Sequence, residues 1–402
     1  MNKKVSLGVC ISLVIISITA TFAVTMVFSK QIYNRIISNI SQRSESYDAA
    51  DEIYRIISEN YYGSLDDYNN NLDAYVAEGY VEGLEDSGCF YMTSSEYADY
   101  NDRLENGITG TGIETYFNTG ENKLYISYVY PDSPAAGQGL EAGDVITAIN
   151  DETVTRKNYT ELTSYLTGSK LSMVTVEYER DEVTKTADVM LGFSIPSIIT
   201  KETDGVGYIR ITTFGKSTAD EIDVAMAAFK DSGIDNVVFD VRNTSDGTVA
   251  YAAKAIDVLV PNVSNIAVAK SKDGDSKSFT SSGTDYGTMN FAVLINSGTS
   301  GPAELFAADL RDISYAVLVG QTTAGVGTMQ EIFTLDDGSA ISLTTALIVP
   351  YGGESTVYNS VGISPADGGN VTLGSDAGDI LMLTSEQDNQ LRTAITLLTE
   401  NS

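Results

Sequence analysis

Histidine is absent from the 402 residues of this chain, and that absence excludes more chemistry than any residue present suggests. Without an imidazole there is no Ser-His-Asp or Cys-His nucleophile, and the usual histidine-bearing zinc motifs cannot form. Cysteine is nearly absent too. Of the two, Cys10 sits in an apolar N-terminal stretch and Cys89 far from it, so an intrachain disulfide is not expected. Positive charge is scarce: 24 Lys and Arg stand against 55 Asp and Glu, a formal charge of −31. Such a chain repels phosphates, which excludes nucleic acid as a partner and makes anionic lipid surfaces poor ones. No cofactor is implied, no metal-ligand set is singled out, and no carboxylate spacing marks glycoside chemistry.

What is present begins with the stretch Val5–Phe28, which carries no charge and is long enough to cross a hydrocarbon core of about 30 Å as a helix. Lys3 and Lys4 favour a cytoplasmic N-terminus, although Lys30, Arg35 and Arg43 flank the other side. The apolar run continues past Thr21-Phe22-Ala23, so an uncleaved signal anchor is expected rather than a cleaved signal peptide. Residues 1–30 read as a cytoplasmic tip and transmembrane anchor. The expected product is a single-pass protein of the cell membrane with the bulk of the chain extracytoplasmic.

Residues 31–106 read as a helical lead-in that packs, because Ile53, Ile56 and Ile57, then Tyr75, Val76, Tyr80, Val81 and Leu84, recur at helical spacing. Beyond Ser194-Ile195-Pro196-Ser197, strand-like Gly207–Ile211, helical Thr218–Ser232 and strand-like Asn236–Asp240 alternate, which predicts an α/β layer. Phe291–Ile295, the polar loop Asn296–Gly301, the segment Pro302–Leu310 and the run Ala316–Gly320 repeat that order. A proline just inside a segment suits the first turn of a helix. The preceding loop then lies at a helix N-terminus, where hydrolases place a nucleophile and oxyanion donors.

At this stretch the sequence resembles the C-terminal processing peptidases, or tail-specific proteases, which use a serine and a lysine. Gly298-Thr299-Ser300-Gly301-Pro302-Ala303-Glu304 matches the family frame in which the serine precedes a glutamate by three positions, and that position holds Gly301. Leu318–Gln330 fits the family phrase that supplies the basic lysine and its glutamine partner; Val326 occupies the lysine position and Gln330 is retained. Phe239-Asp240-Val241-Arg242-Asn243-Thr244-Ser245-Asp246-Gly247 resembles the oxyanion phrase, with Asp246 where the family has its first glycine. Leu84–Tyr97 resembles the family lead-in, which makes Cys89 a small apolar packing residue.

Residues 107–192 resemble a PDZ domain through Gly110-Thr111-Gly112-Ile113, the strand Lys123–Tyr130 and Ser133–Asn150. The resemblance implies a peptide C-terminus added as a strand, its carboxylate held at Gly110, Thr111, Gly112 and Ile113, with Ile113 and Leu162 of a helix over Tyr159–Thr167 as apolar lining. A plain strand-entry turn is the other reading of these glycines. The expected architecture is therefore α+β and α/β multidomain: anchor, helical lead-in, a PDZ domain over 107–192, and a tail-specific-protease-like core over 193–402. Two functions remain open. One is a membrane-anchored pseudoprotease that binds protein C-terminal tails; the other is an active serine-type endopeptidase using Ser300 or Thr299 with a lysine such as Lys216.

Overall fold

The computed structural model describes Met26 and residues 49–400, except 169–171, 264, 284–285, 367 and 375–377. The expected anchor Val5–Phe28 lies outside the described residues apart from Met26. Among the described residues no helix is long and apolar enough to cross a membrane. The chain divides into Met1–Val76 and Ala77–Ser402.

In the first unit a helix covers 49–60 and a second, Asp66–Glu82, begins. Ile53 and Ile56 are exposed, as are Tyr75 and Val76, so the helical spacing is correct but the expected packing is not made by these residues. The lead-in also contains a strand that helical periodicity missed. Phe90–Met92 pairs antiparallel with Ala340–Pro350, joining Phe90 to Ser342. The pairing partner lies far along the chain, where no local pattern reports it. Thr93 and Glu96 then form a reciprocal capping box that starts the helix Ser94–Asn106, and Gly107 at φ +79° ends it.

The PDZ segment forms a sheet in the order Ile113–Asn118, Lys123–Val129, Val145–Ile149, Met173–Arg180, Val183–Met190. Every second residue points inward, which buries Val174, Val176 and Tyr178 against Leu124, Ile126 and Leu162. Ile108–Gly110 pairs with Phe193–Ile195, so the module closes on itself where it enters and leaves the core.

In the core, Ile198–Thr203, Val206–Ile211, Asn236–Asp240, Asn290–Ile295 and Val317–Gly320 form one sheet in that order, parallel after its first pair. Strands buried on both faces read as continuous apolar runs, and each face here has its own cover. Ile209, Val237, Phe239 and Val293 pack on the side of helices Thr218–Asp231, Val249–Leu259 and Pro302–Ser314. Tyr208, Val238, Ala292 and Leu294 meet Leu391, Ala394 and Leu398 of the C-terminal helix Asn389–Glu400. A second, antiparallel sheet is built on Ala340–Pro350, flanked by Thr328–Thr334 and Ala267–Ser271.

The helix Pro302–Ser314 is buried from Pro302 through Leu310, and this includes Asp309. Asp309 Oδ1 accepts the Tyr351 N–H at 2.9 Å, whereas Oδ2 has no partner. Burial pushes this carboxyl well above its ordinary value, with Asp312 adding to the effect and the Tyr351 hydrogen bond opposing it. A carboxyl whose folded pKa is raised contributes its full stability below the unfolded value, about 3.9, and loses it as pH rises toward the folded value. Asp309→Asn, which keeps the acceptor for Tyr351, will therefore raise stability at pH 7 by on the order of 1–2 kcal/mol. Denaturant melts at pH 4 and pH 7 check this: the gain must shrink at the lower pH.

Candidate active site

All the loops that matter leave the carboxyl ends of the parallel strands, the usual location of a site in an open α/β sheet. They follow Ile211, Asp240, Ile295 and Gly320. The loop after Ile295 is tied within itself and to the loop after Asp240: Asn296 N–H donates to Thr299 Oγ1 at 3.0 Å, and Thr299 Oγ1 donates to the Val241 carbonyl at 2.8 Å. Ser300 N–H donates to the Thr244 carbonyl at 3.0 Å. The chain then turns into the helix through Gly301 at φ 55° and ψ −112°. This is the sharp, strained strand-to-helix elbow on which hydrolases expose a side chain. A Cβ built on Gly301 meets nothing within 4 Å, so the position faces open space.

Glu304, one turn into the helix and fully buried, organises the site. Its Oε2 accepts the Gly301 N–H at 3.1 Å and the Val326 N–H at 2.7 Å. Its Oε1 accepts the Gly325 N–H at 2.7 Å and the Thr323 hydroxyl. One buried carboxylate, satisfied by several donors, thus fixes the elbow against the loop 320–327 and brings Gly301 and Val326 to the same oxygen. Glu304 was visible in sequence only as a marker of the frame, because its role depends on donors some twenty residues away. Gln330 lies just beyond, its Nε2 donating to Thr328 Oγ1 at 3.0 Å and Thr344 Oγ1 at 3.2 Å.

Asp246 and Gly247 form a turn against Phe214. Phe214 N–H donates to the Asp246 carbonyl at 3.0 Å. At Gly247, φ is +110° and a Cβ would sit 2.3 Å from the Phe214 carbonyl oxygen, so only glycine fits. The Asp246 side chain is exposed and lies 3.6 Å from Arg103 of the helix Ser94–Asn106. Lys216 is exposed and pairs with Glu105 of the same helix at 2.9 Å. The hydrogen bond that Lys216 donates to Glu105 pushes its ammonium above the ordinary pKa.

Beneath these loops runs a charge network that sequence reading passed over. Arg242, wholly buried, donates from Nη2 to Asp240 at 2.6 Å and to Asp388 at 2.7 Å, and from Nη1 to Gln390 at 2.9 Å. Tyr208 Oη donates to Asp240 at 2.7 Å. Burial would push the Asp240 carboxyl up, but Arg242, Arg210 and the Tyr208 hydroxyl more than offset it and hold it at about 2. The signal for Asp240 and Arg242 was present in their shared phrase. Nothing local pointed to Asp388.

In the PDZ segment, Ile113–Asn118 is an edge strand, paired among the described residues with Lys123–Val129 alone. Thr111 N–H donates to the Leu166 carbonyl at 2.9 Å. A Cβ at Gly110 would approach that carbonyl to 2.6 Å, and one at Gly112, φ +84°, would meet Ser133 at 2.2 Å. The helix is shorter than expected, Tyr159–Ser164. Ile113 and Leu162 are buried in the domain's own core, while the rings of Phe117 and Tyr159 stack with centroids 4.2 Å apart. A cavity of about 560 Å³ lies between this module and the core, lined by Ile113, Glu114, Lys216, Asp246 and Gly247 among others. Among the described residues no cluster of Asp, Glu or Cys could hold a metal ion.

A small sheet with an open edge strand is joined to a parallel α/β core whose helix-entry elbow has the geometry of a hydrolase scaffold. Residues 205–366 match Peptidase family S41, and residues 107–191 match the PDZ domain. Residues 205–366 thus form a peptidase family S41 core, and residues 107–191 a PDZ domain before it. It is 27% identical over 325 residues to the carboxy-terminal processing protease CtpA of Bacillus subtilis, covering 79% of this chain and 69% of that protein. With CtpB of the same organism the identity is 26% over 311 residues, covering 76% and 64%. The chain thus spans about two thirds of the length of these relatives. An S41 protease candidate of known structure from Bacteroides fragilis shares the fold, with a TM-score of 0.52, 19% identity, and coverage of 73% of this chain and 84% of that one.

Proposed function

We propose that this chain is a catalytically silent relative of the C-terminal processing proteases, which holds protein C-terminal tails through its PDZ domain without cutting them. The observation that carries this reading is Gly301: the elbow keeps its strained geometry and faces open space, yet no side chain stands there to attack. Three further features agree. Pro302 follows the elbow and has no N–H, so the backbone donor that hydrolases take from the residue after the nucleophile is missing. Val326 has no titratable group where the family has its lysine, although the loop that carries it is anchored to Glu304. Asp246 sets a carboxylate at the oxyanion turn, where it would oppose developing negative charge.

The alternative nucleophile Ser300 has no base suited to it in Lys216. A lysine base must be neutral, and Glu105 instead favours the ammonium. The residues Val5–Phe28 would hold the protein at the membrane with its PDZ domain outside the cytoplasm. Tail capture is tested by titrating the chain with peptides that differ only in a free or amidated C-terminus. The free acid should bind in the micromolar range, about 8 kcal/mol, and amidation should weaken it at least tenfold. Equal binding of the two forms would contradict capture of the terminus and leave Gly110–Ile113 as a turn.

A further inference from the structure

The cavity of about 560 Å³ has a charge pattern that tail binding alone does not explain. Its walls bear five acidic side chains against two cationic ones. Both cations are already paired, Arg103 with Asp246 and Lys216 with Glu105, across the space between the helix Ser94–Asn106 and the core loops. The remaining acids are Glu114, Asp220 and Glu221. Glu221 accepts the Ser197 N–H and hydroxyl, and Glu114 accepts the Tyr130 hydroxyl, but these are neutral donors. Burial pushes the Glu114 carboxyl above its ordinary value, with the Tyr130 hydroxyl and Arg210 opposing the shift. Asp220 is exposed to the cavity.

The same cavity reaches Ile113 and Glu114, the first residues of the PDZ edge strand. A peptide added to that edge has its backbone fixed by the strand and sends alternate side chains to one side. A cleft lined by surplus charge of one sign concentrates ligands of the other. We infer that the cavity receives a lysine or arginine side chain of the docked segment, so that the chain selects basic tails. The inference rests on the tail-binding reading and adds the identity of the side chain. An acidic residue there would face Asp220 and Glu221, and the two cations lining the cavity, Arg103 and Lys216, are already paired.

The test uses the full chain and peptides ending in a free apolar C-terminus, each with lysine, norleucine or glutamate at one position, scanned in turn. At one position lysine should bind on the order of tenfold tighter than norleucine and glutamate weaker still, with the gap narrowing at high salt. Asp220→Asn should reduce the lysine advantage and leave the norleucine peptide unchanged. Equal affinities for the three side chains at every position, with the free terminus still preferred over its amide, would overturn basic selection and leave tail capture standing. A lysine advantage untouched by Asp220→Asn would place the selectivity outside this cavity and also overturn the inference. Binding indifferent to amidation would remove tail capture and the inference together.

Discussion

Replacing Arg242 with leucine will destabilise the core by about 3–5 kcal/mol, the usual cost of removing one partner from a buried ion pair. The guanidinium lies between Asp240 and Asp388, both nearly inaccessible, and also bonds Gln390 at the start of the C-terminal helix. Its loss strands two carboxylates, and Arg210 at 3.5 Å can only partly compensate for Asp240. At roughly 2–4 °C per kcal/mol for a domain of this size, the melting midpoint should fall by on the order of 10 °C. The pH dependence has a definite sign. Because the Asp240 carboxyl is lowered from 3.8 to about 2, its contribution is full above pH 4 and lost as pH falls toward about 2. Arg242→Leu should flatten that acid limb, while replacing Arg242, Asp240 and Asp388 together by apolar residues should recover much of the lost stability. A midpoint unchanged in the single variant would show that the network contributes little.

Exposed to a fluorophosphonate reagent that modifies activated serines, the chain will remain unlabelled. Losing one member of a catalytic serine unit typically costs about 10⁴–10⁶ in rate, and the account removes nucleophile, base and an oxyanion donor at once. Ser300 precedes the elbow, and its N–H is held by the Thr244 carbonyl. Hydrolases expose the nucleophile from the elbow residue itself, here Gly301, so Ser300 should not face the space before Gly301. Mass spectrometry of the treated chain reads this directly. A phosphonylated Ser300, lost in Ser300→Ala, would show that the site still activates an oxygen.

Much of this architecture was legible in the sequence because its signals are local. Apolar runs such as Phe291–Ile295, separated by helix-length segments, revealed the parallel sheet, and Pro302 marked the helix entry. The glycines at 110 and 112 were expected at a carboxylate loop and Gly247 at an oxyanion turn; in the fold each sits where a Cβ would crowd a neighbour. What stayed hidden depends on distant partners. The strand Phe90–Met92 exists because Ala340–Pro350 is there to pair with it. Glu304 served in the sequence only as a marker of the frame, because the loop at Thr323–Val326 that closes over it lies some twenty residues on. Ile113 and Leu162 were expected as groove lining; apolar residues of either use look alike in sequence, and both are buried in the PDZ core. The lead-in shows the converse, since Ile53 and Tyr75 keep helical spacing while remaining exposed.

Whether the chain holds tails without cutting them is decided by one incubation. The full chain is mixed with an unstructured protein ending in a free apolar tail, binding is confirmed in the sample, and intact masses are followed over many hours. The bound protein should keep an unchanged mass. Fragments that accumulate with the intact chain and are missing from a parallel incubation with Ser300→Ala would contradict it.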